Sequence, residues 1–454
     1  MVIKARGKKF MKAAAKSIDI TPPAGLPMGG NVRDDDIARG VHDNLFCNVV
    51  LLEENGERIC FINFDLLGIT YETCEAIKNG IMKRAGIQPE NVLICATHTH
   101  SGPDVLGIFR EKIDEGIKKY LNEIIKKVVG EVALLPSELK DANLSIAKNN
   151  VYDLSFNRRL VMKDGTMKMN FENPDIADVE KEAGPIDPEL YALVISDTDN
   201  NTIAIVVNFT LHPAVLVGKD WLWSRDYINY LTNDLKKYLG NNTIVFFANG
   251  AEGNVNHINY KDKNQGRGFE EAERIGSSLA NHVIEALKTK KPVSNIPFKC
   301  LSKKIKLPLR EITKEDVMWA EKIIEERGDF IPSLLDGVPD EIYAREILKL
   351  SKIEDKDIET EIQVIRIGDT LIATLPGEVF VEFGLRIKKS SPFENTMVFG
   401  LANDMIGYVP TEIAFSEGGY EIKTAWSSKL DPKAGEILVS QITELIEKHV
   451  VALS

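Results

Sequence analysis

The chain has 454 residues, 44% of them hydrophobic and 27% charged. A chain of that length buries enough surface to fold without disulfide staples, and the mixture excludes a disordered, collagenous or coiled-coil whole. The 56 Lys and Arg against 68 Asp and Glu leave a formal charge of −12, which repels phosphate backbones and argues against nucleic acid as a partner.

No stretch approaches the ~20 apolar residues of a membrane span. The apolar piece near the start, Met11–Ala15, is too short for the core of a signal peptide. The five cysteines, at 47, 60, 74, 95 and 300, form no CxxC pair, and Cys60 and Cys95 lie in apolar runs. Free buried thiols in a cytoplasmic protein are the expectation.

In chain order, Cys47–Glu54 and Arg58–Leu66 read as strands around a turn at residues 54–57. Tyr71–Arg84 reads as an amphipathic helix ended by Gly86. Val92–Ala96 is fully apolar, a buried strand. Glu111–Leu135 carries apolar residues at helical spacing. Tyr191–Asp197 and Thr202–Phe209 read as strands, Asp226–Leu239 as a helix, Thr243–Ala248 as a strand and Phe269–Leu287 as a helix.

Residues 288–297, with two prolines, form the best internal boundary. A strand comes next, then a charged helical stretch from Thr313 to Lys352, then strands at Glu361–Ile367 and Thr370–Leu375. The alternation predicts an α/β fold with mixed sheets flanked by helices. Polar motifs come after strands throughout, so one interleaved catalytic domain over residues 1–454 is expected.

Two of the seven histidines, His98 and His100, lie in Ala-Thr-His-Thr-His-Ser-Gly-Pro-Asp at residues 96–104. In an extended chain, residues two apart share a face. The pair suits two metal ligands, one ligand beside an acid/base group, or the capping of a turn. His212 comes directly after a second apolar strand and precedes Pro213. Glu378 stands where a strand gives way to a helix, a place a carboxylate also takes to favour the helix dipole. Tyr408 alone passes as a core aromatic. The Gly- and Asn-rich loop at residues 249–256 lacks the lysine of a P-loop. It serves a ligand or a tight turn equally well.

Taken together these blocks resemble the catalytic domain of the neutral/alkaline non-lysosomal ceramidases. The matching segments are Asp19-Ile-Thr-Pro-Pro23 with Met28-Gly-Gly30, Gly40-Val-His42, Ala96 to Pro103, Asn157-Arg158, Asn173-Pro-Asp175 with Ile186-Asp-Pro188, Leu211-His-Pro213, Asn249 to Asn256, Pro376-Gly-Glu378, and Asn403 to Thr411 with Gly418-Gly-Tyr420. The resemblance implies one zinc held by His98, His212, Glu378 and Tyr408, with His100 beside the reaction centre. It also places His42 and Arg158 in pocket-lining blocks.

The family's loop serine is absent, and Asn254 stands at that register here. Attack by metal-activated water on a carboxamide C–N bond is therefore expected, with Asn254 and Arg158 assisting the substrate. The expected partner is a small-molecule or lipid-like amide. The resemblance also implies a shorter branch without the family's C-terminal immunoglobulin-like domain, which puts ceramide itself in doubt as substrate. A metal-dependent esterase or other hydrolase, and a metal-stabilised protein without activity, are the alternatives.

Overall fold

The computed structural model describes residues 11–33, 35–110, 112–216, 220–293, 298–328 and 338–451. Among these, nine strands form one sheet. Eight lie in the order Ile244–Asn249, Thr202–Phe209, Glu189–Asp197, Lys140–Asn150, Met11–Asp19, Phe46–Glu54, Glu57–Phe64 and Val92–Ala96; Lys291–Pro292 pairs with Lys140–Asn150 off this path. A second sheet has the order Phe298–Pro308, Asp357–Ile367, Thr370–Thr374 and Asn395–Phe399.

Local chemistry explains several boundaries. Asn55 and Gly56 both take positive φ, 53° and 88°, the geometry a two-residue hairpin turn requires. Helix Tyr71–Ala85 starts where the Thr70 hydroxyl accepts from the Thr73 N–H, and it stops at Gly86 in the left-handed conformation. The second helix begins at Glu115 rather than Glu111, because Asp114 caps it. The charged stretch after the second sheet's first strand contains helices Lys314–Arg327 and Asp340–Leu350; residues 329–337 lie outside the described residues. Within the 288–297 segment, Lys291 and Pro292 pair with Ile146 and Ser145 of the first sheet; 294–297 lie outside the described residues.

The two sheets stack face to face between layers of helices. Neighbouring residues of strand Phe46–Glu54 alternate between layers: Val49 and Leu51 face the helices Tyr71–Ala85 and Glu115–Val132, whereas Val50 and Leu52 face the second sheet. The inter-sheet layer joins Phe61, Leu93 and Phe246 to Ile365, Met397 and Phe399. Helices Tyr227–Leu239 and Gly268–Leu287 cover the other half of the first sheet. Val381–Ser390 and Ala434–Val451 cover the outer face of the second sheet. At ~25 cal/mol per Å² of apolar area, burial on both faces is the main source of stability.

Three parallel strand pairs position the candidate metal-ligating residues. Each has a helix between its strands: Glu57–Phe64 with Val92–Ala96, Thr202–Phe209 with Ile244–Asn249, and Thr370–Thr374 with Asn395–Phe399. In open α/β sheets, ligands bind beyond the carboxyl ends of such strands. All the candidate ligating residues lie there.

Candidate metal centre

Strand Val92–Ala96 runs out into His98 and His100, Thr202–Phe209 into His212, and Thr370–Thr374 into Glu378. Asn395–Phe399 leads to Tyr408, whose short strand Tyr408–Val409 pairs in parallel with Glu378–Val379. Glu378 and Tyr408 are thus fixed side by side.

The 96–104 segment is not extended. His98 adopts φ 72°, a left-handed conformation that strains a residue with a Cβ. The kink still brings the two rings together, with centroids 5.0 Å apart. His98 is buried, and its Nδ1–H donates to the Leu67 carbonyl at 2.5 Å. That bond leaves Nε2 with a free lone pair, 3.4 Å from Glu378 Oε2. His100 is half-buried; its Nδ1 lies 2.9 Å from Asn31 Oδ1 and its Nε2 lies 3.0 Å from His212 Nε2. Gly30 makes this possible, since a Cβ there would lie 2.7 Å from the His100 ring, and Gly30 itself has φ +94°.

Glu252 joins the group from the loop after Ile244–Asn249, and it is 0% exposed. One donor atom each from His98, His212, Glu252 and Glu378 lie within 4.8 Å of one another, as do one each from His98, His100 and His212. His98 Nε2, His212 Nδ1, both Glu252 oxygens and Glu378 Oε2 are buried without a hydrogen-bond partner. Buried polar atoms without partners are costly and rare. Two imidazoles and two carboxylates around one point are the donor chemistry of a divalent cation. The residues present fit such an ion.

The charges of the cluster are coupled. Burial pushes Glu252 up to about 8, helped by Glu378 and opposed by His98. Burial would lower His98, but Glu378 and Glu252 outweigh it and raise His98 above its ordinary value. Burial, with His98 nearby, drives His100 and His212 well below theirs, so both rings are neutral near pH 7.

Arg158 forms the opposite wall. Its Nε donates to Glu421 at 3.0 Å, and its Nη2 to the Gly253 carbonyl at 2.6 Å and to the Tyr408 hydroxyl at 3.2 Å. Tyr420 places its hydroxyl 3.1 Å from that of Tyr408. Glu421 is fully buried between Arg158 and Arg159, whose Nη1 donates at 2.9 Å.

The structure therefore gathers His98, His100, His212, Glu378, Tyr408 and Arg158. It does not bring in His42, which bonds Asp43 at 2.8 Å and stacks on Phe269 with centroids 3.8 Å apart. Asn254 is also turned away. Its Oδ1 accepts from the Val381 N–H at 2.8 Å and its Nδ2 donates to Glu382 at 2.9 Å. Asn256, two residues on, lines the cavity instead. Sequence reading missed Glu252, Tyr420 and Asn31. The signal for Glu252 was one charge set among small residues directly after a buried strand.

A cavity of about 820 Å³ opens over the cluster, lined by His98, His100, His212, Glu378, Tyr408 and Tyr420 among others. Its lining mixes apolar and polar side chains. Val32, Leu67, Ile108, Phe109, Val215 and Leu216 are apolar, whereas the 170–175 and 256–268 segments contribute Asn170, Asn173, Asn256, His257, Asn259 and Gln265. Apolar lining with a few convergent polar groups is the usual make-up of a small-molecule site.

Fold and site together define an α/β protein with a cation-competent cluster at the floor of a ligand-sized cavity. A family model described as "Neutral/alkaline non-lysosomal ceramidase, N-terminal" matches residues 13–256, more than half of the chain. The chain belongs to that family. It is 23% identical to the neutral ceramidase of Pseudomonas aeruginosa over 86% of its own length and 65% of that protein. It is 28% identical to the neutral ceramidase of Oryza sativa subsp. japonica over 28% of its length and 19% of that protein. The chain thus spans less than two thirds of either relative.

The crystal structure of the Pseudomonas aeruginosa neutral ceramidase superposes with a TM-score of 0.73, at 20% identity, over 97% of this chain and 75% of that one. A ceramidase complexed with C2 superposes with a TM-score of 0.72, at 18% identity, over 96% and 75%. These likenesses show the same fold.

Proposed function

We propose that this chain is a zinc-dependent hydrolase of a carboxamide C–N bond, with His98, His212, Glu378 and Tyr408 as the residues that hold the zinc. One observation carries the reading: buried donors from three strand ends, unpartnered by hydrogen bonds, converge beneath a cavity large enough for substrate. When bound, zinc supplies Lewis acidity toward the amide carbonyl and lowers the pKa of water.

The chain's own residues do the rest. His100 Nδ1 is held by Asn31, which orients the ring; its Nε2 faces His212 Nε2 at 3.0 Å, and release of that contact frees Nε2 to take the proton of attacking water and return it to the leaving amine. Tyr420, one hydroxyl away from Tyr408, donates to the oxygen that gains charge. Arg158 positions Tyr408, since its Nε and Nη2 are held by Glu421, the Gly253 carbonyl and the Tyr408 hydroxyl, and the residue also lines the cavity. Asn254 is a positioning residue: it fixes the 249–256 loop to helix Val381–Ser390.

The mixed apolar and polar lining suits an amide that carries both apolar and polar groups. Ceramide and shorter N-acyl amides are both substrates of that description. Four buried thiols, Cys47, Cys60, Cys74 and Cys95, suit a reducing compartment, and a cytoplasmic location is part of the proposal.

The test is a panel of N-acyl amides of graded chain length, with matched esters, on zinc-loaded protein. Amide turnover should vanish with a chelator and return with zinc. Turnover of esters alone would make the protein an esterase. Full zinc with no turnover of either would sink the hydrolase reading.

A further inference from the structure

We infer that Glu252 is a further metal ligand of this centre, so that two carboxylates rather than one face the ion; the inference rests on the metal reading proposed above. The family resemblance supplies four ligands and does not include this residue.

Three observations carry it. First, Glu252 is 0% exposed and neither of its carboxylate oxygens has a hydrogen-bond partner. A structural glutamate at such depth takes backbone N–H groups or a basic side chain. Arg158, the arginine at this centre, is bound to Glu421 and the Gly253 carbonyl. Second, an oxygen of Glu252 lies within 4.8 Å of the donor atoms of His98, His212 and Glu378. Two carboxylates that close repel each other unless a proton or a cation lies between them.

Third, the loop is locked so that Glu252 sits between the segments that carry the other donors. Asn249 accepts from the Leu211 N–H at 3.1 Å and donates to the Leu211 carbonyl at 3.1 Å, beside His212. The Gly253 N–H donates to the Val379 carbonyl at 2.9 Å, beside Glu378. A Cβ at Gly253 would lie 2.3 Å from the Glu378 carbonyl oxygen, so glycine is what lets the loop come this close. Such fastening on both sides of one residue fits an orienting role for its side chain.

The experiment compares wild type and Glu252→Gln by zinc competition against a chromogenic chelator, with thermal melts of the apo and zinc-loaded forms. Glutamine keeps the shape and removes the charge. Zinc affinity of the variant should fall by at least ~10–100-fold. The apo variant should melt near apo wild type, because glutamine keeps the shape of the side chain, while its zinc-induced rise in Tm should shrink.

Equal zinc affinity in the two proteins would overturn the inference and leave a proton shared between Glu252 and Glu378 as the explanation. Should the variant fail to fold, the X-ray absorption fine structure of zinc-loaded wild type replaces it. A shell with oxygens from two carboxylates supports the inference, and one carboxylate contradicts it. Wild type that binds no zinc at all would instead remove the metal reading on which the inference stands.

Discussion

Truncating His100 to Ala separates chemistry from structure at this centre. The ring makes two polar contacts, with Asn31 at 2.9 Å and His212 at 3.0 Å, and it is half-buried at the cavity wall. Loss of the two contacts costs about 1–3 kcal/mol at about 0.5–1.5 kcal/mol each, and water from the cavity replaces part of it. Loss of a general acid–base group lowers the rate ~10²–10⁴-fold, which is about 3–5 kcal/mol on the barrier. The effect on kcat/KM should therefore exceed the effect on stability. The assay is kcat/KM on the best amide of the panel, with zinc content and Tm from the same preparation. Zinc should stay near stoichiometric. Unchanged rate with full zinc would refute the proton-transfer role, and loss of zinc would move His100 into the ligand set.

The surrounding network sets three other expectations. Glu421→Ala leaves Arg158 and Arg159 buried with their shared carboxylate gone; a broken buried pair costs about 3–5 kcal/mol, so the melting temperature should fall clearly, and an unchanged one would contradict the buried-pair account. Asn254→Ala removes the acceptor for the Val381 N–H and should cost about 1–2 kcal/mol in a denaturant melt. Its KM should barely change; a large KM rise at full stability would return Asn254 to the substrate. Burial holds His449 down at about 4, below its ordinary 6.5, beside the Val364 carbonyl. In that window the unfolded chain binds the proton and the folded one does not, so stability falls as pH drops from 6.5 toward 4. His449→Gln should shrink the Tm difference between pH 7 and pH 4.5; an identical difference would show that His449 does not contribute.

Much of the fold was legible because its signals are local. The hairpin at Asn55-Gly56, the starts of the helices at Thr70 and Asp226, and the apolar run Val92–Ala96 each declare themselves within a few residues, whereas sequence reading missed the cap at Asp114. Strand Met11–Asp19 does not. Its Ala-rich sequence has little strand preference, and it is held by partners on both sides, Phe46–Glu54 and Lys140–Asn150. The metal centre was only partly legible from spacing. A two-residue spacing puts His98 and His100 on one face of an extended chain, yet they meet through a left-handed kink at His98. Glu378 and Tyr408 are joined by a parallel bridge across 30 residues of chain, which no spacing rule reports. In the 249–256 loop, periodicity does not tell which side chain points inward. The backbone turns Asn254 toward Glu382 and leaves Glu252 with the histidines.

The central claim is that one divalent ion sits among His98, His212, Glu378 and Tyr408. Anomalous diffraction at the zinc edge, on crystals of the zinc-loaded protein, tests it most directly. The account predicts one strong peak among those four side chains, absent from crystals of the His98→Ala/His212→Ala variant. A map without a peak there, or a zinc bound elsewhere with these donors bonded only to water, would contradict it.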